Sequence, residues 1–257
     1  MVDANDWGWL SARTGLTIAG GLVLAAWFVW RSRHRPAPAI DLRLFEPPTV
    51  RRSALAKVLF SSAFYGLILA LVLVLAFVWR YSVLDVGLAI APAPVVAALT
   101  AVVTGRMSAT RGQRRFAVAG MALSAVSTAW LASAIGVHPG YLRDFLAPFL
   151  VGGVAVGLAM PSLAAASVSE LPAEQFAVGA AINLTARQFG AVLGVAVLIA
   201  VLGSATHPAL GSLKDGMVAM AVLSLTAAIC GLRLPSRRHA PAPACGSEPA
   251  IAAPAPR

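Results

Sequence analysis

Val58 to Trp79 reads VLFSSAFYGLILALVLVLAFVW, an uninterrupted stretch without a single charge. About 20 apolar residues suffice for a helix to cross roughly 30 Å of hydrocarbon, so this stretch is a membrane span. On one side it is bounded by Arg51, Arg52 and Lys57 and on the other by Arg80. The same alternation of long apolar runs with short charged or Pro/Gly-rich breaks continues in both directions. Spans are expected at about 10–30, 58–79, 86–104, 116–137, 145–168, 178–205 and 216–232, seven in all. The first contains Arg13 but is flanked by Trp7 and Trp9 and by Trp27 and Trp30, side chains suited to the interface, where the Arg13 stem can carry its charge to water. The last is the shortest and the weakest.

Composition agrees with the pattern. The 257 residues are 59% hydrophobic and 12% charged, with a mean hydropathy of +0.80. Soluble domains carry about 25% charged residues, so a soluble enzyme is excluded. The net charge of +10 could in isolation point to nucleic acid, but the cations sit between apolar spans, where they set membrane orientation. Counted loop by loop, one face holds fourteen Lys and Arg and the other four, with Lys57 among the fourteen. That imbalance places the N-terminus outside and the C-terminus in the cytoplasm. The acidic start, with Asp3 and Asp6, and the absence of a small-residue cleavage site before Arg31 argue against a cleavable signal peptide.

The segment from Arg31 to Ser53 holds Pro36, Pro38, Pro47 and Pro48 and reads as a cytoplasmic linker. The organisation expected is therefore a linker helix over 1–30, a Pro/Arg-rich linker over 31–54, a six-helix domain over 55–234, and a Pro/Ala-rich disordered tail over 235–257. Cys230 and Cys245 offer no ligand spacing, and no metal site or cofactor is expected.

The residues that could carry function are few. Asn183, Arg187 and Gln188 lie early in the sixth span. Asn183 and Arg187, four apart, share a helix face. A guanidinium in lipid costs at least about 2.5 kcal/mol, so Arg187 faces protein, a watery cavity or the nearby interface. Both a structural role and a role in a transport cavity or gate are open for it. Pro92 and Pro161, with the small-xxx-small pairs Gly153/Gly157 and Gly190/Gly194, mark kinks and close helix contacts. None of the ten carboxylates lies in the middle of a span, so this chain shows no proton-coupling site of its own.

The stretch GRMSATRGQRR, from Gly105 to Arg115, resembles the cytoplasmic loop signature of the major facilitator superfamily. Gly105, Gly112, Arg114 and Arg115 match it, while Ala109 stands where the family has an acid. Further segments narrow the resemblance: Pro38 to Phe45, Tyr81-Ser82 with Gly87 to Pro92, Gly153 to Pro161, and Asn183 through Gly194. Together they are similar to the C-terminal half of the fourteen-helix drug:proton antiporters of EmrB/QacA type, over residues 7–232. Arg80 and Val83 depart from the Gly and Pro that often flank the Tyr-Ser pair there.

The resemblance implies an all-α polytopic fold of seven transmembrane helices, six of them a C-terminal transporter domain with a 3+3 inverted repeat. It implies secondary active efflux of small hydrophobic or cationic solutes by proton antiport in a bacterial plasma membrane, with the lipid bilayer and a complementary N-terminal half as partners. Nucleic acid is not among them. One bundle has nothing to rock against, so the chain alone is expected to be inactive. The alternative is a non-transporting seven-helix scaffold or sensor.

Overall fold

The computed structural model describes residues 48–169, 171, 172, 175–203 and 209–233, together with nine positions between Leu16 and Arg31. Those nine are helical and exposed. The rest of the expected first span, most of the linker and the C-terminal tail lie outside the described residues.

Seven helices make up the described body: α1 (Pro48–Leu73, continued by a π-turn over Val74–Val78), α2 (Val83–Ile90), α3 (Pro92–Arg111), α4 (Gln113–Ala134), α5 (Ala147–Val168, preceded by a π-turn over Tyr141–Leu146), α6 (Phe176–Leu202) and α7 (Leu210–Gly231). Among the described residues, six segments are long and apolar enough to cross a membrane, with α2 and α3 forming one of them together. The protein is an all-helical, polytopic, integral membrane protein.

Three boundaries differ from expectation, each for a local reason. Helix α1 begins ten residues before Val58, because Pro48 is preorganised for a first helical turn and no breaker follows it until Gly66. Lys57, counted above among the loop cations, is thus inside the span. The 105–115 loop shrinks to Gly112 alone, whose φ of 89° joins two helices; a β-carbon there would be strained, which is why glycine fits. Helix α7 starts at Leu210, so the seventh span is a full 22 residues. Its first turns contain Lys214 and Asp215, whose charges concealed it from hydropathy.

Packing reveals a symmetry that the residues do not display. The most extensive interfaces are α1 with α6, α4 with α5, α1 with α7, α3 with α5, and α4 with α7. Exchanging α1 with α5, α3 with α6, and α4 with α7 maps this set onto itself, as a 3+3 repeat requires. In lipid no hydrophobic force drives helices together, so close approach depends on small residues. A β-carbon on Gly153 would lie 2.7 Å from the Ala93 carbonyl oxygen and one on Gly157 2.6 Å from that of Ala97, both on α3. On the symmetric interface one on Gly190 would lie 2.5 Å from the Val58 carbonyl oxygen, and one on Gly194 would strike Ser62, both on α1.

The bundle has two unlike ends. At the end where Tyr141 lies, the large side chains Leu71, Leu75, Trp79, Leu131, Ile135 and Phe145 fill the core. Toward Gly112 the core is built from smaller pieces, with Ala56, Ala117, Ala159, Ala227 and Ala228 around Phe60, Met121 and Leu163. Arg52 Nη1 donates to the Arg233 carbonyl at 3.1 Å and ties the start of α1 to the end of α7.

Candidate functional site

A cavity of about 290 Å³ lies between α1, the α2–α3 break, α4 and α5. Phe64 and Ile68, Ile90 and Pro94, Leu131, Phe149 and Val156 make its wall almost wholly apolar, and Ser124 and Ser127 are its hydroxyl-bearing side chains. Ser127 Oγ is occupied in donating to the Pro148 carbonyl at 2.7 Å, and Ser124 Oγ lies 3.4 Å from Ser224 Oγ of α7. The break that shapes this wall comes from Pro92, which begins α3 directly after Ala91 ends α2. Such a chamber suits the apolar body of a solute and offers little to a polar one.

Toward Gly112 from the cavity, the character of the interior changes. Lys57 is only 3% exposed, and its Nζ points to the Met160 thioether sulfur at 2.9 Å, a weak acceptor for an ammonium group. Arg187 of α6 is close enough for the two positive charges to repel one another. Its Nε is buried without a hydrogen-bond partner, and so are Ser61 Oγ and Ser162 Oγ.

The three polar residues singled out on α6 therefore part company. Asn183 Nδ2 donates to Ser167 Oγ at 2.9 Å and to the Leu163 carbonyl at 3.4 Å, which fastens α6 to α5 rather than to Arg187. Gln188 is exposed, while Arg187 is half-buried, one turn before the Gly190 that packs against Val58 and Ser61 of α1. Pro161, beside Met160, is accommodated inside α5. Gly105 is exposed with open space around it, Gly112 is buried, Arg114 is half-buried and Arg115 is exposed. They mark the α3–α4 junction, one full helix length from the cavity's far wall.

Sequence reasoning missed Lys57, Ser61 and Met160. Pro48 was the available signal: a proline followed by seventeen residues without another Pro or a Gly predicts a helix that already includes Lys57. Nothing comparable marks Met160.

No protein-family model matches the chain. It is, however, 30% identical over 242 residues to the cephamycin export protein CmcT of Amycolatopsis lactamdurans, a match covering 90% of this chain and 49% of that protein. The lincomycin resistance protein LmrB of Listeria monocytogenes is 25% identical, with 88% of this chain and 48% of LmrB covered. The MFS-type transporter YcnB of Bacillus subtilis is 24% identical, with 90% and 49% covered. The chain thus spans about half the length of these relatives. With six apolar helices in a twofold-related arrangement and relatives of this kind, the chain belongs to the major facilitator superfamily of transporters.

Proposed function

We propose that this chain is the C-terminal half of a fourteen-helix drug:proton antiporter of EmrB/QacA type, exporting small apolar solutes once a complementary N-terminal bundle faces it. The observation that carries this reading is the combination of half-length matches to exporters with an open flank on the bundle. The most apolar windows of the α2–α3 span and of α6 are only 17% and 22% buried, against 39–56% for the other four. These two spans are equivalents under the internal symmetry. Lipid covers part of such a surface, and a second bundle related to this one would cover the rest.

In this arrangement the Gly112 end is cytoplasmic. Arg51, Arg52, Arg106, Arg111, Arg114, Arg115 and Arg233 all belong to it, whereas Arg80, Arg143 and Lys214 belong to the Tyr141 end. Removing Lys57 from the loop count leaves the direction of the imbalance unchanged. The linker helix at 1–30 precedes the six-helix unit, whose first helix begins at Pro48 rather than at 55, and the N-terminus is outside a bacterial plasma membrane.

The test is complementation in an efflux-deficient bacterium. Co-expression with the N-terminal half of a full-length relative should restore efflux of the uncharged dye Nile red that a protonophore abolishes, while the chain alone should restore none. Proton-driven efflux from proteoliposomes holding only this chain would overturn the half-transporter reading. Single cysteines at Ala109 and His138, in a background with Cys230 and Cys245 replaced, should label from the cytoplasm and from outside respectively.

A further inference from the structure

Among the described residues, the cations between α1, α5 and α6 have no carboxylate near them. Among the described residues the carboxylates are Asp85, Asp144 and Asp215, and all three belong to the Tyr141 end of the bundle. Lys57 nevertheless has almost no access to solvent and its ammonium meets a thioether, while Arg187, one turn before the Gly190 that packs against Val58 and Ser61, brings a second cation with a buried, unpaired N–H to the same part of α1. Two like charges brought together inside a membrane protein are costly unless something anionic joins them. The three polar groups left unsatisfied, Ser61 Oγ, Ser162 Oγ and Arg187 Nε, belong to the same three helices.

The position of this cluster relative to the cavity gives the chemistry. Lys57, Ser61, Phe64 and Ile68 follow at intervals of four, three and four and so share one face of α1. Met160, Val156, Gly153 and Phe149 do the same on α5. The cavity is lined by the Phe64 and Ile68 part of the first stripe and by the Val156, Gly153 and Phe149 part of the second. Each stripe then continues past the cavity to the cations. From Phe64 to Lys57 is seven residues, a rise of about 10 Å.

We infer that the apolar cavity and the Lys57–Arg187 pair form one amphiphile site, which takes a single-tailed anion with its carboxylate or phosphate group on Lys57 and Arg187 and its apolar body in the cavity. Lys57 supplies a point charge and Arg187 a directional N–H, and Ser61 can donate to the same oxygen atoms. The site rests on the transport reading for its purpose and deepens it by fixing the sign of the solute's charge: anionic, where the family resemblance suggested hydrophobic or cationic. The same chemistry is presented by a fatty-acid-like solute and by an anionic phospholipid headgroup.

Binding can be read without transport, so the two ideas fail separately. The chain has only two lysines, Lys57 and Lys214, and lysine labelled with ¹³C at Cε gives two resonances that Lys214→Arg assigns. The full chain is placed in phosphatidylcholine nanodiscs and titrated with dodecanoate, with dodecyltrimethylammonium as the charge-reversed probe. The Lys57 resonance should move saturably with dodecanoate and stay still with the cation. Arg187→Gln should weaken dodecanoate binding about tenfold or more, the worth of a hydrogen bond to a charged group. If nanodiscs doped with phosphatidylglycerol produce the shift and exclude dodecanoate, the anion site stands and its occupant is lipid. A shift with both probes, no shift with any anion, or undiminished affinity in Arg187→Gln would overturn the inference. Because the titration is on the wild-type chain, a variant that fails to fold does not leave the question open.

Discussion

The Tyr141 end and the Gly112 end of the bundle are built from the same helices and treat polar groups in opposite ways. Among the described residues of the Tyr141 end the interior donors have destinations: Trp79 Nε1 donates to the Gly136 carbonyl at 3.0 Å and Tyr141 Oη to that of Ala89 at 3.2 Å. Ser82 caps α2 by accepting from the Asp85 N–H, and the Asp85 carboxylate accepts in return from the Ser82 N–H. Around them Trp79, Tyr81, Tyr141, Phe145 and Phe149 form a chain of ring contacts. At the Gly112 end the interior keeps Lys57, Arg187 Nε, Ser61 Oγ and Ser162 Oγ without adequate partners. A buried donor left unsatisfied costs about 1–3 kcal/mol, so an interior holding several is retained for something other than stability. The contrast separates a closure, where the fold is completed, from a site, where it is left incomplete.

The strongest way to break this comparison is to open the closure. Trp79→Ala removes a ring that is 6% exposed along with its hydrogen bond, and should destabilise the bundle by about 3–5 kcal/mol in thermal or denaturant unfolding. A mild loss there would mean the aromatic chain is decorative. At the opposite end Lys57→Met should act in the other direction. It replaces a buried charge with an apolar side chain of similar length, and unfolding should become harder by about 1–3 kcal/mol. If Lys57→Met destabilises instead, Lys57 has a structural partner and the Gly112 end is not the unfinished one.

Two serines give a finer comparison. Ser127→Ala deletes a bond to Pro148 and should cost about 1 kcal/mol, whereas Ser61→Ala deletes a buried hydroxyl that bonds to nothing and should be neutral or stabilising by up to about 1 kcal/mol. Equal losses at both positions would show that the two interiors are alike. The smallest effect is expected at Arg80, whose φ of 57° lies in the left-handed region that glycine occupies without cost. Arg80→Gly relieves left-handed strain and adds unfolded-state entropy, so it should shift stability by no more than about 1 kcal/mol, while Arg80→Val should be clearly worse than either.

How much of this was legible beforehand differs residue by residue. Val58 to Trp79 announced a span because every residue in it is apolar or small. Leu210 to Asp215 did not announce the start of α7, since Lys214 and Asp215 mask it, although the helix carries Lys214 half-buried and Asp215 exposed in its first turns. Asn183, Arg187 and Gln188 were visible as polar residues in an apolar span, but that they divide among a clamp to Ser167, a cation pair with Lys57 and an exposed face depends on what α1 and α5 place opposite them. The glycine pairs were visible as spacing; their partners Ala93, Ala97, Val58 and Ser62 were not.

Insertion into lipid is a property of each segment taken alone, a sum over its own residues, and for that reason the order of residues was enough to make the chain a polytopic helical membrane protein with this order of spans. Which helices touch is a property of pairs, and the symmetric set of interfaces came only from the packed bundle. The cation site is a property of three helices at once. Lys57, Met160 and Arg187 are 103 and 27 residues apart along the chain, and no local pattern of charge or hydropathy connects them. Only when α1, α5 and α6 close on their small residues does an ammonium group find a sulfur and a second cation where a carboxylate would have been expected.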